Sequence, residues 1–472
     1  MSLPEHVDLI VVGGGLAGHC AAIEAADRGI EVLLLEKTAR HGGSTLTSSG
    51  SFAFAGTQEQ ADAGFEDDDD HLRADIMKAS GDRADPALVD LYVRRQRDDY
   101  AWLKSKGVKF HKITLSSNQA VPRTHPTEPE QLMRALNDRA RQHQHISYAT
   151  DSAVEDLIDG PGGICGIRAN GQTVLSRGGV VLAAGGFSRN PALVGKFVPK
   201  LEAALALGGE GNQGDGLLMA WARGADLVDM GFINGTFGVS LNHFPETRVE
   251  PGDNPLLRLA IYKGAIAVNN AGRRFADESI SYKVLGEICL AQPGSFAFQI
   301  FDQTMMDQSQ PQPNSNDLAG AFAAGLVKSG PTIRSLAEQV GIDADTLEAT
   351  VARYNAGAAK GVEDEFGRAS LGKGFGRLAP IATAPFYIYP CTTATLATYC
   401  GVRVDDTMRV IDVFGRPIAG LYAAGEIVGG FHGSGYMSGS SLSKAAIFGR
   451  VAGETAATTL DQHRAKERSH AA

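Results

Sequence analysis

A glycine-rich turn near the N-terminus constrains the fold of this chain more than any other segment. A short apolar run leads directly into residues 13–18, which read Gly-Gly-Gly-Leu-Ala-Gly. Gly13 permits a tight turn, Gly15 lets the backbone approach a pyrophosphate, and Gly18 lets the following helix pack closely on a sheet. The pattern therefore predicts a strand, a turn and a helix over 15–28 whose N-terminus faces the phosphates of a dinucleotide.

The segment after this helix completes the dinucleotide pattern. A second strand is predicted over 31–35, and it delivers Glu36 to the position where a carboxylate accepts a hydrogen bond from a ribose hydroxyl. A glycine-rich structural turn is the alternative, but strand, helix, second strand and acidic residue all follow in register. The sequence therefore indicates a Rossmann-like dinucleotide-binding domain.

Later loops favour FAD over NAD as the dinucleotide. Residues 41–50 are rich in small and hydroxyl side chains, which suit a ribityl chain and the edge of a flavin. Residues 180–186 and 420–426 each read as a buried strand that ends in glycines, and the second delivers a carboxylate that can bind ribityl hydroxyls. Residues 439–442 open the final helix, which is predicted over 440–459 with a frayed tail beyond it. Its first amides can stabilise negative charge on a reduced flavin.

Further motifs complete a family pattern. They are Gly-Asp-Gly at 214–216 and the segments 224–230, 272–278 and 448–453. With these motifs, nearly the whole chain resembles the flavoprotein family of soluble fumarate reductases, succinate dehydrogenase flavoproteins and 3-ketosteroid dehydrogenases. The resemblance implies an α/β fold, with a Rossmann-like FAD-binding domain of the glutathione-reductase type and an inserted α+β capping domain.

The predicted domain segments follow from this pattern and from a change in sequence texture. The FAD-binding domain is predicted at 1–231 and 382–472, and the capping domain at 232–381. At 472 residues and 43% hydrophobic content, the chain is long enough for two cores.

The turns and the resemblance together give a set of predicted FAD contacts. The FAD is expected to be noncovalent, because Ser44 and Thr45 follow Gly43 and no histidine stands where membrane-bound relatives attach their flavin. The predicted contacts are Gly13, Gly15, Leu16, Ala17, Gly18, Glu36, Lys37, Gly43, Ser44, Thr45, Ser49, Gly50, Val154, Ala184, Gly185, Asp215, Gly425, Glu426, Ser441 and Leu442.

Four positions that bind dicarboxylates in the family's fumarate reducers carry other residues in this chain. The two histidine positions fall on Thr236 and Ala397, and the two arginine positions fall on Tyr282 and Tyr436. Arginine recognises a carboxylate through paired, charge-assisted hydrogen bonds that these side chains do not supply. We therefore expect neither fumarate nor succinate to be a substrate.

Tyrosines at 282 and 436 resemble instead the ketosteroid dehydrogenase branch. The resemblance implies an FAD-dependent dehydrogenase that introduces a double bond next to the ketone of a 3-ketosteroid or of a simpler cyclic ketone such as a cyclohexanone. Tyr436 and Ser438 would hold and polarise the ketone oxygen, while Tyr282 takes the α proton and the β hydride leaves to flavin N5. Because a phenol has an ordinary pKa of about 10, the base needs neighbours that stabilise its anion.

Two alternatives stay open at this point. A flavin-dependent ene reductase would run the same exchange backwards on enones, and a flavoprotein could bind FAD without any chemistry. The expected partners are a small-molecule ketone and an electron acceptor, which is a quinone, oxygen or a redox protein.

Charge and cysteine content bound the setting of the protein. The net charge of −10 argues against nucleic acid or an anionic membrane as a partner. No run approaches the ~20 apolar residues of a transmembrane helix, and the early first strand leaves no room for a signal peptide. The five cysteines form no Cys-x-x-Cys and are expected to be reduced, so we expect a cytoplasmic protein. His143 and His145 have no third ligand nearby in the sequence, and no metal site is predicted.

Overall fold

A computed structural model describes residues 3–233, 235–250, 252–311, 315–360, 365–372 and 376–471. These residues form the predicted mixed α/β fold and divide into two compact units. The first unit comprises Met1–Phe197, Gly208–Ile233 and Ala397–Ala472, and the second comprises Val198–Leu207 and Asn234–Leu396.

The strands, numbered in chain order, are β1 His6–Val7, β2 Leu9–Val12, β3 Val32–Leu35, β4 Ser51–Ala53, β5 Thr124–Pro126, β6 Ile146–Ala149, β7 Val154–Gly160, β8 Gly163–Ala169, β9 Gln172–Ser176, β10 Val180–Leu182, β11 Leu205–Ala206, β12 Leu227–Val228, β13 Thr236–Ser240, β14 Ile266–Val268, β15 Phe296–Asp302, β16 Lys328–Gly330, β17 Phe386–Thr395, β18 Gly401–Val402, β19 Arg409–Ile411 and β20 Pro417–Ala423.

The α-helices are α1 Leu16–Asp27, α2 Gly43–Leu46, α3 Gln58–Asp62, α4 Asp69–Ala79, α5 Pro86–Ser105, α6 Pro129–Gln142, α7 Pro191–Phe197, α8 Asp215–Ala222, α9 Tyr282–Leu290, α10 Gln303–Met306, α11 Leu318–Ala323, α12 Ile333–Val340, α13 Ala344–Lys360 and α14 Ser440–Ala471. Short 3₁₀ helices lie at Pro199–Leu201, Ala260–Lys263, Pro293–Ser295 and Gly425–Ile427.

A six-stranded sheet forms the centre of the first unit. Its strand order is β19-β20-β10-β2-β3-β6, and all neighbours are parallel except the β19–β20 pair. Every residue of β2, β3 and β10 is buried, as expected for parallel strands covered on both faces. The carboxyl end of β2 runs into the glycine turn, so the sheet fixes where that turn lies. A second sheet has the order β1-β9-β8-β7.

The first and last long helices of the first unit pack closely through small residues. A Cβ atom added to Gly449 would lie 2.4 Å from the carbonyl oxygen of Ala17, and one added to Gly453 would lie 2.3 Å from that of Ala21. Only glycine fits at this approach between α1 and α14. The helix that ends the chain therefore supports the helix that follows the glycine turn.

Helix α14 is longer than the sequence predicted. The predicted helix ended at residue 459 with a frayed tail, whereas α14 continues to Ala471. Leu460 is buried, and the Arg464 guanidinium lies 2.7 Å from the carboxylate of buried Asp8. Asp8 lies near the N-terminus, so the composition of the C-terminal segment alone did not indicate this ion pair.

The second unit is built around strand β17. Its sheet has the order β11-β17-β15-β14, and β13 and β16 also pair with β17. Strand β17 pairs with β15 from Phe386 to Thr392, and the apolar side chains around it form a buried core. The predicted boundary at 381/382 assigned β17 to the FAD-binding domain, whereas its pairing places it in the second unit, which extends to Leu396.

Three further observations concern the described part of the chain. No helix in it is long and apolar enough to cross a lipid bilayer. No three histidine, cysteine or acidic side chains in it group closely enough to hold a metal ion. All five cysteines are free thiols, and every one except Cys165 is buried.

Candidate functional site

The glycine turn of the first unit has the geometry of a phosphate cradle. Gly13 has a φ of +113°, and a Cβ atom there would lie 2.3 Å from the carbonyl oxygen of Ala183. A Cβ on Gly18 would lie 1.9 Å from the Gly13 oxygen. At Gly15, by contrast, a Cβ would meet nothing nearer than the Gly42 oxygen at 3.9 Å, so the space beside this backbone is open. The turn leads into α1 at Leu16 and Ala17, so the N-terminus of this helix lies beside the open space at Gly15, a position suited to a pyrophosphate.

The acidic residue at the end of β3 is held in place by backbone amides. The Glu36 carboxylate accepts hydrogen bonds from the Gly14 amide at 2.9 Å and from the Thr38 amide at 2.8 Å. Among the described residues, Oε1 also accepts from the Thr38 hydroxyl, whereas Oε2 accepts only the Gly14 amide and retains a lone pair for a ribose hydroxyl. Val154 begins β7 just beyond Ser152, whose amide donates to the Glu36 carbonyl at 2.9 Å.

Lys37 and Asp215 were predicted separately and form an ion pair. Asp215 is the first residue of α8, where a carboxylate is favoured by the helix dipole. A Cβ on Gly216, the next residue, would lie 2.9 Å from the Cβ of Ala184, so α8 begins close to the end of β10.

A cluster of polar side chains lies between α2 and Glu426. The Asn212 side-chain amide donates to the Ser44 hydroxyl at 3.1 Å and to the Glu426 carboxylate at 2.9 Å. The Thr398 amide donates to the same Glu426 oxygen at 2.9 Å. Next to Ser44, the Thr45 hydroxyl accepts from the Leu16 amide at 3.3 Å. The structure thus brings together the N-terminal turn, α2 and the end of β20.

Asn212 was missed by the sequence analysis, and its side chain tests whether a ribityl chain fits this cluster. Only 3% of the residue is exposed, and its side-chain oxygen has no hydrogen-bond partner among the described residues. A buried acceptor without a partner is costly. This oxygen lies where a Cβ on Gly185 would approach it to 3.5 Å. A hydroxyl-bearing ligand beside Ser44 and Glu426 would satisfy it.

The remaining predicted contacts differ in their surroundings. Gly43 opens α2, and Gly50 has a φ of +69° against the Thr127 carbonyl. Ser49 is exposed, and its hydroxyl lies 3.2 Å from that of Ser51. Gly425 has a φ of +81°, and a Cβ there would lie 2.7 Å from the Ala17 Cβ. Ser441 and Leu442 lie in the first turn of α14.

Tyr436 lies on the loop that leads into α14, among other aromatic rings. Its hydroxyl oxygen accepts a hydrogen bond from the Gly439 amide at 3.0 Å. Its ring stacks on that of Tyr399 at a centroid distance of 5.3 Å and an interplanar angle of 14°, and the His432 ring lies 5.6 Å away. Burial raises the pKa of Tyr436, while hydrogen bonds from Gly439 and Ser441 act in the opposite direction. The phenol therefore keeps its proton near neutral pH.

A second loop holds the Tyr436 segment from the side. The Asn118 side-chain amide donates to the Tyr436 backbone carbonyl at 2.6 Å. The Gln119 side-chain amide donates to the Ser438 backbone carbonyl at 2.8 Å. The Ser438 amide donates to the Ser117 carbonyl at 3.0 Å. Ser438 is half-buried. Sequence separations of about three hundred residues hid these contacts from sequence analysis.

Two buried side chains lie near the start of α14. His432 was predicted either to contact the flavin or to make a structural hydrogen bond, and Lys444 was not predicted. Burial lowers the pKa of Lys444 to about 8, and its ammonium donates to the Val428 carbonyl at 2.8 Å. Burial lowers the pKa of His432 well below its ordinary value, so this ring is neutral. The Lys444 charge adds to the positive end of the α14 dipole beside Glu426.

Tyr282 belongs to the second unit and begins α9. Its amide donates to the Tyr262 hydroxyl at 2.9 Å, and that hydroxyl donates to the Ile280 carbonyl at 3.0 Å. The preceding residue, Ser281, caps the helix by accepting a hydrogen bond from the Lys283 amide. These contacts fix the backbone from which the Tyr282 side chain projects.

A lysine stands directly beside Tyr282. The Lys283 ammonium donates to the hydroxyl of fully buried Thr236 at 2.6 Å and lies 5.3 Å from the centroid of the Tyr282 ring. Burial lowers the pKa of Lys283 to about 7. Thr236, which the resemblance predicted to stand at a histidine position of the fumarate reducers, accepts a hydrogen bond from a lysine in this chain. The other such position, Ala397, lies half-buried in the first unit.

Comparison with known proteins gives a family model and several relatives. The FAD binding domain model matches residues 8–442. The chain is 30% identical over 469 residues to NADH:fumarate oxidoreductase of Klebsiella pneumoniae (strain 342), a match that covers 96% of this chain and 48% of that protein. The chain thus spans about half the length of this relative.

Two solved structures are similar along almost the whole chain. The open conformation of a flavocytochrome c3 fumarate reductase has a TM-score of 0.85 and 28% identity, covering 97% of this chain and 79% of that one. The 3-ketosteroid-delta4-(5alpha)-dehydrogenase from Rhodococcus jostii RHA1, in complex with 4-androstene-3,17-dione, has a TM-score of 0.72 and 26% identity, covering 97% and 98% of the two chains.

Proposed function

The chain belongs to the FAD binding domain family and is an FAD flavoprotein, and from this premise we propose that it is an oxidoreductase that introduces a carbon–carbon double bond next to a ketone. The proposed substrate is a 3-ketosteroid or a simpler cyclic ketone such as a cyclohexanone. The similar ketosteroid dehydrogenase supports this class of substrate, since its structure contains 4-androstene-3,17-dione. FAD would supply the hydride acceptor, and the residues of the chain would control the substrate proton.

The observation that carries the proposal is the hydrogen bonding of Tyr436. Its oxygen accepts the Gly439 amide, so its own proton is available to a ketone oxygen. Burial raises its pKa, which keeps that proton in place. A donor that is already held by the surrounding structure costs little reorganisation when charge develops on the ketone oxygen. Tyr436, aided by Ser438, is therefore the proposed group that polarises the ketone.

The proposed base is Tyr282. Polarising the ketone acidifies the α proton, and a positioned base then removes it. Tyr282 lies beside the Lys283 ammonium, whose positive charge favours an anionic phenol. For Tyr436, burial raises the pKa and so favours the protonated phenol. The two tyrosines thus have different electrostatic surroundings, as the different roles require.

The cofactor residues proposed from the sequence are supported by local geometry. The open side of Gly15 suits the pyrophosphate, Glu36 suits a ribose, and the Asn212, Ser44 and Glu426 cluster suits the ribityl hydroxyls. Asn212 is added to the predicted set. The proposed location is the cytoplasm, where cysteines stay reduced. The electron acceptor is proposed to be a quinone, oxygen or a redox protein.

An ene reductase that acts on enones is the second candidate function. It is favoured by the names of the relatives, which include a NADH:fumarate oxidoreductase and a fumarate reductase. The same donors would polarise an enone, and Tyr282 would deliver the proton instead of removing it. The electron partner determines whether the enzyme desaturates a ketone or reduces an enone. Both reactions are therefore tested in the same experiment.

Anaerobic mixing of the yellow protein with candidate substrates tests the proposal. Loss of the oxidised flavin absorption on addition of a cyclohexanone or a 3-ketosteroid is expected. Reoxidation of pre-reduced protein by enones, without bleaching of oxidised protein by ketones, would favour the ene reductase. If neither treatment changes the flavin spectrum, the chain is a flavoprotein without this chemistry.

FAD is expected to leave the protein completely on acid or heat precipitation. The reason is that α2 carries Ser44 and Thr45 after Gly43, with no histidine at that place to form a covalent link. The measurement is the absorbance of the supernatant and of the washed pellet. Colour that stays with the pellet would contradict this prediction.

Fumarate and succinate are expected to be neither substrates nor tight ligands. Thr236 and Tyr282 in the second unit and Ala397 and Tyr436 in the first offer no guanidinium to a carboxylate. Titration of the flavin spectrum with fumarate should give no dissociation constant in the micromolar range. The Klebsiella pneumoniae relative serves as the positive control. Micromolar binding of fumarate by this chain would contradict the assignment of a ketone substrate.

A further inference from the structure

Lys283 and Tyr282 form a close pair at the start of α9. The ammonium lies 5.3 Å from the centroid of the tyrosine ring, although the two residues are adjacent in the helix and their Cα–Cβ bonds point in different directions. The lysine ammonium is held by a hydrogen bond to the Thr236 hydroxyl at 2.6 Å. Thr236 is fully buried on β13, so it gives the ammonium a fixed anchor.

We propose that Lys283 is the positioning residue whose ammonium balances the negative charge of Tyr282 when that phenol acts as the base. This inference rests on the proposed function, because it deepens the role that Tyr282 has there. A unit charge about 5 Å away in a half-buried setting changes a titration by about one to two pKa units. Such a shift is what a phenol with an ordinary pKa of about 10 needs to act near neutral pH.

Other titratable groups lie on α9 and on the elements that contact it. They include Lys200, Tyr262, Glu287, Cys289, Asp302, Tyr387, Tyr389 and Cys391. Lys200 and Glu287 lie 2.8 Å apart and offset each other. Burial raises the pKa of Tyr262 to about 12 and that of Cys289 to about 12, so both stay neutral, and it raises that of Cys391 well above its ordinary value. The Asp302 carboxylate accepts from the Ala382 and Thr383 amides.

The charge of Lys283 itself changes near neutral pH. Burial lowers its pKa to about 7, whereas an unperturbed lysine stays charged to about pH 10. Above about pH 7, Lys283 and Tyr282 together carry one titratable proton, on either the amine or the phenol. The arrangement with an ammonium and a phenolate has the same proton count as that with an amine and a phenol. The two groups are therefore expected to titrate as a coupled pair.

The holoenzyme variants Lys283→Met, Lys283→Arg and Lys200→Met test this pairing. The first readout needs no substrate. Tyrosine labelled with ¹³C at Cζ is followed by NMR against pH, and the Tyr282 signal is assigned by its loss in Tyr282→Phe. Lys283→Met is expected to raise the midpoint of the Tyr282 titration by at least one pH unit. Lys283→Arg should restore most of the shift. Lys200→Met should leave the midpoint unchanged, because Lys200 lies in the 3₁₀ helix Pro199–Leu201 and pairs with Glu287 of α9.

The second readout is the pH dependence of flavin reduction by a ketone. The wild-type rate should rise with an apparent pKa between about 7 and about 10, and the Lys283→Met rate should rise only at or above about 10. At pH 7 the variant should be about 10- to 100-fold slower and should recover at high pH. A Tyr282 midpoint that is the same in Lys283→Met as in the wild type would overturn the pairing. If no ketone reduces the flavin in any variant, the proposed function fails, and the NMR titration still decides the pairing.

Discussion

The Tyr282→Phe variant is expected to bind FAD normally and to be reduced by a ketone roughly 10² to 10⁴ times more slowly than the wild type, the usual worth of general acid–base catalysis. Phenylalanine keeps the ring and removes only the proposed base. The backbone contacts of this residue run through the Tyr262 hydroxyl and the Tyr282 amide, which the substitution leaves in place. Stopped-flow absorbance of the flavin under anaerobic conditions measures the rate.

Tyr389→Phe is the matched control for this variant. Tyr389 is a fully buried tyrosine of the same unit, and its hydroxyl donates to the Leu256 carbonyl at 2.7 Å. Removing that hydroxyl should lower stability by about 1 to 3 kcal/mol and leave the reduction rate nearly unchanged. A Tyr282→Phe enzyme with the wild-type rate would mean that Tyr282 only packs, and the case for ketone dehydrogenation would then rest on family membership alone.

Tyr436→Phe is expected to slow the same reaction by about 10² to 10³, as the loss of an oxyanion-hole donor does. The Gly439 amide would lose its acceptor, so a small loss of stability should accompany the loss of rate. Tyr92→Phe is the control in the first unit, because the Tyr92 hydroxyl donates to the Ala53 carbonyl at 2.6 Å and its ring lies against Phe431. An unchanged rate in Tyr436→Phe would assign the ketone contact to another donor.

Exchange of the α proton with deuterated solvent separates these two roles from binding. If Tyr436 polarises the ketone and Tyr282 takes the proton, enolisation needs both groups, and both variants should lose exchange. The two variants differ in pH dependence. Tyr282→Phe should lose the rise of the rate with pH, whereas Tyr436→Phe should keep it at a lower level. Retained exchange in Tyr282→Phe would mean that a different base removes the proton.

The elements of the glycine turn were predictable because they depend on neighbours in sequence. The predicted helix over 15–28 is α1 Leu16–Asp27, and the predicted strand over 31–35 is β3 Val32–Leu35. Glycines at fixed offsets, an apolar run before them and an acidic residue after them each report on local geometry. The family comparison confirms the FAD-binding fold that these signals predicted.

The missed residues depend on partners that are distant in sequence. Asn212 meets Glu426 across 214 positions, Asn118 meets Tyr436 across 318, and Lys283 meets Thr236 across 47. The sequence does not show that the lysine after Tyr282 is half-buried against Thr236. That contact follows from the packing of β13 against α9, which requires the folded second unit. The individual site residues proposed from motifs stay predictions, and the experiments above address them one by one.

The close packing of α1 against α14 has a consequence for how the protein is made. The ribosome delivers the Gly13 turn first, whereas Gly449 and Gly453, which fit against α1, emerge more than four hundred residues later. Contacts between residues so far apart in sequence form slowly. Until they form, the apolar strands β2 and β3 are not fully shielded from water by the packed helices. Chains interrupted before residue 440 should therefore aggregate and remain colourless, and FAD added during synthesis should increase the yield only after α14 has been translated.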